Sequence, residues 1–175
     1  MEKYKVSYEA FSKKHIETYY SWRNDVEINI FDQPGFNSPI AFEIVEEWCD
    51  KVINQKDGYT FFLKDEVANV YIGICALMHI DYKNRNCELS IVIGNRDYWG
   101  KGVGTEVMNQ LIEWGFNSLN LHKLYLHVFS SNTRAISLYE KLGFKKEGVF
   151  EEELFRNGEY QSIIRYGLLK GNAKK

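Results

Sequence analysis

Two prolines serve the whole 175-residue chain, both inside "FDQPGFNSP" at 31–39. Proline this scarce excludes a Pro-rich linker or a collagen-like repeat, and the one cluster reads as a loop rather than a domain boundary. Cysteine is nearly as rare. Cys49, Cys75 and Cys87 are odd in number, widely spaced and form no C-x-x-C pair, which argues against a disulfide framework, a metal site or a redox motif and fits a reducing, cytoplasmic setting. A basic surplus is also missing: 22 Lys and Arg against 24 Asp and Glu give a net charge of −2, so nucleic acid has no electrostatic footprint to meet. The longest apolar stretch, "VYIGICALMHI" at 70–80, is too short to cross a bilayer. The N-terminus "MEKYKVSYEA" lacks the basic-then-apolar order of a secretory signal. The length suffices for one well-buried core, and residues 1–175 are read as a single domain.

What the chain has in quantity is aromatic side chains, 12 Tyr and 11 Phe, whose ordinary role is core packing. "YKVSYEAF" alternates as a first strand does, and Ser12 is placed to cap a helical run to Asn24. Ser38 followed by Pro39 is a helix-start signal. The run "IAFEIVEEWCDKVI" then sets Ile40, Ile44, Val45, Trp48 and Val52 on one face, with Glu43, Glu46, Glu47 and Asp50 on a solvated one. "YTFFLK", "VYIGICALMHI" and "CELSIVIG" follow as strands with short polar gaps, which predicts antiparallel hairpins. Beyond them Val103, Val107, Leu111, Trp114 and Leu119 recur at helical spacing toward "NLHK". "LYLHVF" is another strand, "SNTRAISLYEKLGF" a short helix stopped by Gly143, and Asn157-Gly158 a hairpin signal between two closing strands. The order β-α-α-β-β-β-α-β-α-β-β makes an α+β protein with a mixed sheet, and the terminal "KGNAKK" reads as a frayed tail.

"YWGKGVGTEV" at 98–107 places Gly100, Gly102 and Gly104 directly before a helix. Strand, glycine loop and helix form a phosphate-binding arrangement, because unpaired N–H groups and the positive end of the helix dipole face the anion together. A nucleoside-triphosphate loop would need Gly-Lys-Ser/Thr, which does not occur. A dinucleotide fold would need G-x-G-x-x-G and a carboxylate ending the next strand, whereas the glycines run G-x-G-x-G and "LYLHVF" ends without one. The third user of this physics has G-x-G-x-[GA] leading into a helix, followed later by an asparagine that opens a second helix with a tyrosine two turns on. "YWGKGVGTEV" and "SSNTRAISLYEKLGF" supply both parts in that order.

On these segments the chain resembles the GCN5-related N-acetyltransferases (GNAT) across about residues 1–170. "LNLHKLYLHV" and "RNGEYQSIIRYGLL" are similar to the RimJ/RimL-type branch, which includes bacterial spermidine N-acetyltransferases. Trp99 departs from the glutamine or arginine more usual there. The resemblance implies an α+β GNAT fold, with a mixed central sheet of about seven strands and about four helices. It also implies acetyl transfer from the cosubstrate acetyl-CoA to a primary amine, with no metal.

Mapped residue by residue, the resemblance puts the pyrophosphate against the N–H groups of Lys101, Gly102, Val103, Gly104 and Thr105. Lys101 and Arg134 would add positive charge. Ile91, Val92 and Ile93 would pair with the pantetheine amides along an open strand edge and supply the oxyanion donor. Asn132 and Tyr139 are seven residues apart and share a helix face about 10 Å in length, so a linear pantetheine arm would meet the amide early and the phenol late. Tyr139 is the expected general acid and Glu88, opening the strand, the expected base. His15, His79, His122 and His127 show no metal-ligand spacing and are set aside as sites. The acceptor is a polyamine, an amino sugar or a protein N-terminal amine. Spermidine acetyltransferases carry an acidic cluster where this chain has only Asp32, beside Gln33 and Phe36. Dimers are common among similar enzymes, so a homodimer is in keeping. A non-catalytic acyl-CoA-binding module is the rival class.

Overall fold

The computed structural model describes residues 4–31, 39–156 and 158–172. Strand β1 (Val6–Ala10) passes through a 3-10 turn at Lys13–His15 into α1 (Ile16–Arg23) and the single-turn α2 (Val26–Asn29). Helix α3 (Phe42–Asn54) precedes β2 (Tyr59–Asp65), β3 (Val70–Asp81) and β4 (Asn86–Val92). Then come α4 (Val103–Glu113), β5 (Lys123–Phe129), α5 (Thr133–Lys141), β6 (Lys145–Arg156) and β7 (Glu159–Leu169). The strands make one mixed sheet in the order β1-β2-β3-β4-β5-β7-β6, parallel only where β4 meets β5. The expected α+β class and the antiparallel β2-β3-β4 hairpins are both present.

Strand alternation divides the core in two. On one face Cys75, Leu77, Cys87, Leu89, Leu124 and Leu126 meet α4 through Val103, Val107, Met108 and Leu111, which are fully buried. On the other, Phe62 of β2 packs with Phe11, just past β1, and with Ile16, Tyr19, Val45 and Cys49 from α1 and α3. Each such side chain contributes roughly 1.5–3 kcal/mol on burial, so the period-two pattern decides which helices cover which face. Gly94, just past β4, is where a side chain would not fit: a Cβ there would lie 2.2 Å from the Trp22 ring. Its absence lets α1 lie over the end of β4.

Three local expectations are corrected. The helix at Ser38-Pro39 begins instead at Phe42, with Ala41 at the cap position. The reason is Asn24, whose Oδ1 accepts the Ile40 N–H at 2.9 Å and whose Nδ2 donates to the Ile40 carbonyl at 3.4 Å, holding that residue outside the helix. Ser38 itself lies outside the described residues, as do Asp32, Gln33, Phe36, Asn157 and the last three residues of the tail. Ile44 is not on the buried face of α3 but 55% exposed; Val45 and Cys49 go inward in its place. Helix α4 does not run on regularly to Leu119: a π-helical turn takes over at Trp114–Ser118, and the Leu119 N–H donates to the Trp114 carbonyl at 2.9 Å. Arg156 pairs with Glu159 across the closing hairpin, and Gly158 between them takes a φ of +84°.

His15 is a buried histidine held by packing. Its ring stacks on Phe62 with centroids 4.3 Å apart, Nδ1 accepts the Ser12 N–H at 3.1 Å, and Nε2 faces Glu9 Oε2 at 3.4 Å. The tautomer is therefore Nε2–H. Burial pushes the imidazole below its ordinary value of 6.5, more than the Glu9 contact restores. The unfolded chain then binds this proton more readily, so the stabilisation is complete above about pH 6.5 and is lost as pH falls. Melting temperatures taken from pH 8 down to pH 5 should drop, less steeply in His15→Phe and more steeply in Glu9→Gln. The same slope in all three proteins would exclude His15 as the group responsible.

Candidate active site

The parallel ladder between β4 and β5 consists of Asn86–Lys123, Cys87–Leu124 and Glu88–Tyr125, and then stops. Strand β4 continues to Val92 beside β3 while β5 continues to Phe129 beside β7. Between them, from Leu89 onward, β4 has an edge with no strand partner, and the backbone groups along it are available to a ligand. A cavity of about 1150 Å³ opens at this divergence, lined by Leu89–Ile93, the glycine loop, α5, the end of β5 and part of β6. That exceeds the roughly 300–1,000 Å³ of a pocket for one drug-sized molecule.

The glycine loop is fixed from three sides. Trp99 Nε1 donates to the Ile93 carbonyl at 2.8 Å, tying the loop to the end of β4. Tyr98 donates to Asp65 at 2.6 Å, and Tyr4 donates to the Lys101 carbonyl at 3.1 Å. Gly100 and Gly102 take φ of +74° and +90°, in the left-handed region. Gly102 caps α4, and its carbonyl accepts the Thr105 and Glu106 N–H groups at 3.0 and 3.1 Å. Val103 and Gly104, the first two residues of α4, have no carbonyl one turn back to receive their amides. Of residues 101–105, Gly102, Gly104 and Thr105 line the cavity while Lys101 and the buried Val103 do not, and the Thr105 amide already donates to the Gly102 carbonyl.

Helix α5 brings Asn132, Arg134 and Tyr139 to the cavity wall. Asn132 is the helix N-cap, its Oδ1 accepting the Ala135 N–H at 3.1 Å, so its amide NH₂ is the group left for a ligand. Tyr139 is 8% exposed beside Phe144, and burial pushes its phenol up to about 12. At neutral pH it keeps its proton.

Glu88 lies on the sheet face opposite Leu89, with its side chain 19% exposed. Its Oε1 is 2.7 Å from His127 Nδ1 and its Oε2 is 3.9 Å from His79 Nε2. The solvated glutamate common at a strand start is not what stands here. His127, set aside from the sequence, lines the same cavity. Glu27 of α2 and Glu153 of β6 line it too, and neither was anticipated. Glu153 sits in "EEE" at 151–153, where the β6–β7 register shifts and Glu152 has a φ of +52°; that irregularity is invisible in composition. Among the described residues the carboxylates in the lining come from α2, β4 and β6, and the Arg and Lys side chains, Arg134 and Lys141, come from α5. Among the described residues no group of three or more His, Cys, Asp or Glu side chains is arranged to hold a metal, and no helix is long and apolar enough to cross a membrane.

The acetyltransferase (GNAT) domain family matches residues 6–145. The chain is similar to the spermidine N(1)-acetyltransferase of Vibrio cholerae, 38% identical over 130 residues that cover 74% of each protein. The crystal structure of spermidine N-acetyltransferase from Vibrio cholerae in complex with CoA and spermine superposes with a TM-score of 0.86 at 30% identity, covering 95% of this chain and 96% of that one. A dodecameric structure of spermidine N-acetyltransferase from the same organism, in an intermediate state, superposes with a TM-score of 0.78 at 31% identity over 95% and 94% of the two chains.

Any residue but glycine at position 102 meets a left-handed penalty of about 1–2 kcal/mol. Gly102→Ala should therefore lower the melting temperature by a few degrees and, if the loop relaxes, turn its amides off the anion, weakening CoA about tenfold by titration calorimetry. Unchanged CoA affinity in a relaxed loop would remove the cradle from the binding site.

Proposed function

The chain belongs to the GNAT acetyltransferase family and is an acetyl-CoA-dependent N-acetyltransferase, and from that premise we propose that its acceptor is a polyamine such as spermidine, attacked directly with Tyr139 as general acid. The observation that carries this reading is the segregation of charge in the cavity lining. Glu88 and Glu153 offer carboxylates to a polycation, with Glu27 beside them held by Arg96, while Arg134 and Lys141 on α5 suit a polyanionic cosubstrate. At the level of sequence, the segment at 20–39 lacks the acidic cluster of the spermidine acetyltransferases, which weakens a polyamine reading; Glu27 of that segment nevertheless lines the cavity, joined by Glu88 and Glu153 from β4 and β6.

In this reading the diphosphate rests on loop amides that include those of Gly102 and Gly104, with Arg134 nearby and the Thr105 hydroxyl as a further donor. The pantetheine arm runs along the unpaired edge of β4 at Ile91, Val92 and Ile93, past the Asn132 amide. An aliphatic ammonium with a pKa near ~10 is unprotonated in only about one molecule in a thousand at neutral pH, so a group in the site must take its proton before attack. Glu88 opens onto the site as the expected acceptor. The amine then adds to the thioester carbonyl, and a β4 backbone N–H holds the oxyanion. Nitrogen loses its second proton as the C–S bond breaks, the sulfur is protonated with Tyr139 as donor, and one proton per turnover leaves to solvent. Burial keeps the phenol protonated but also makes it a weaker acid, so its contribution grows as charge builds on sulfur.

A panel of spermidine, spermine, amino sugars, aminoglycosides and peptide N-termini tests the acceptor by thiol release. Polyamines should give the highest kcat/KM, and preferential turnover of any other class would overturn the assignment. Tyr139→Phe should lower kcat about 100-fold with CoA affinity within about twofold of wild type. Equal losses in both would assign Tyr139 to binding.

A further inference from the structure

We infer that the atom receiving the acceptor's proton is Nε2 of His127, and that Glu88 is the residue that holds this imidazole in the working tautomer. The inference rests on the acetyl-transfer reading above and changes the part Glu88 plays in it. An ionised carboxylate only accepts hydrogen bonds, so a 2.7 Å contact between Glu88 Oε1 and His127 Nδ1 places the ring proton on Nδ1. The lone pair is then on Nε2, at the far side of the ring. Glu88 has its second oxygen toward His79 Nε2 at 3.9 Å, so imidazoles stand before both of its oxygens. His127 is the member of the pair set further out, with its side chain 33% exposed against 19% for Glu88.

The chemistry agrees with the geometry. As classes, a carboxylate is a weaker base than an alkylamine by about six pK units and an imidazole by about four, so imidazole is the better-matched acceptor. A carboxylate that fixes and charges-up an imidazole is also a recurring way of making such a base, in which the acid orients and the ring moves the proton.

The surroundings of His127 come from its own strand and four others. Glu88 of β4 touches it, and His79 of β3 reaches it only through Glu88. Tyr125 on its own strand and Phe150 of β6 flank the ring at centroid distances of 5.8 and 5.9 Å. Arg165 is its register partner on β7, but that guanidinium lies over Tyr125 at 4.0 Å and contacts Glu147 at 3.5 Å. Glu153 of β6 shares the cavity lining. The one charged group in direct contact with the ring among these is Glu88.

Two readouts test the inference, one of them independent of any acceptor. Nitrogen and carbon NMR of the histidine-labelled protein at pH 8 should show His127 as the Nδ1–H tautomer, reverting toward Nε2–H in Glu88→Gln. An Nε2–H tautomer in the wild-type protein would overturn the proposal even if no polyamine were turned over. For an acceptor identified from the amine panel, log kcat/KM of the wild type should rise with pH at slope two and then slope one, since both base and amine must lose protons. His127→Gln should lower kcat about 100-fold, keep slope one throughout and leave CoA affinity unchanged. Glu88→Gln should lose less, about tenfold, and keep the break. Added imidazole should restore part of the activity of His127→Ala and none of that of Glu88→Gln. A larger loss in Glu88→Gln with the break gone would return the base to the carboxylate, and an unaltered break in every variant would assign it to another titrating group and overturn the proposal. Failure of all amines in the wild type would count against the polyamine reading and leave the tautomer result to decide this one.

Discussion

Where β4 and β5 part company, the protein acquires its function. Their ladder closes at Glu88–Tyr125, and each strand then follows a different neighbour. A sheet paired along its full width would bury these backbone groups against one another. Divergence exposes one edge of β4 to a ligand, draws the glycine loop and α5 to the two sides of the opening, and leaves Glu88 and His127 at its apex. The chemistry is thus positioned by a strand register, and the helices serve mainly to hold the two halves of the sheet at that spacing.

The sides of the sheet divide the labour. Residues on the Leu89 side belong to the core under α4 and α5, where Tyr139 is buried. Glu88, one residue earlier, projects to the other side and meets His127 from the next strand. In the proposed reading a ligand threaded through the opening meets the phenol from one side and the carboxylate–imidazole pair from the other, so acid and base stay apart without any loop to separate them. Among the described residues the polarity of the lining is divided too, cationic on α5 and anionic on α2, β4 and β6.

Much of this was legible because it is local. The glycine spacing, the helix that follows it, the Asn132-to-Tyr139 interval and the hairpin series each lie within one element or one turn, where periodicity and turn chemistry operate. What escaped the sequence depends on contacts between distant segments. Glu88 and His127 are 39 positions apart and meet only through the parallel register of β4 with β5. Glu153 reaches the cavity through an irregular pairing in β6, and Ile40 is kept out of α3 by Asn24, 16 residues earlier. The engagement of the Thr105 amide by the Gly102 carbonyl likewise follows from the cap geometry of α4, not from the glycine spacing. Backbone propensity carries no information about such partners.

The indole bond from Trp99 to the end of β4 has a practical corollary. Trp22 stacks on Phe62, Trp48 on Tyr19, and Trp114 packs edge-on against Tyr8, all inside aromatic clusters. Trp99, among the described residues, is the tryptophan that faces the cleft. Its emission therefore responds to whatever displaces solvent there, and the molecule carries a built-in optical gauge of occupancy at the point where the loop and the strand are joined.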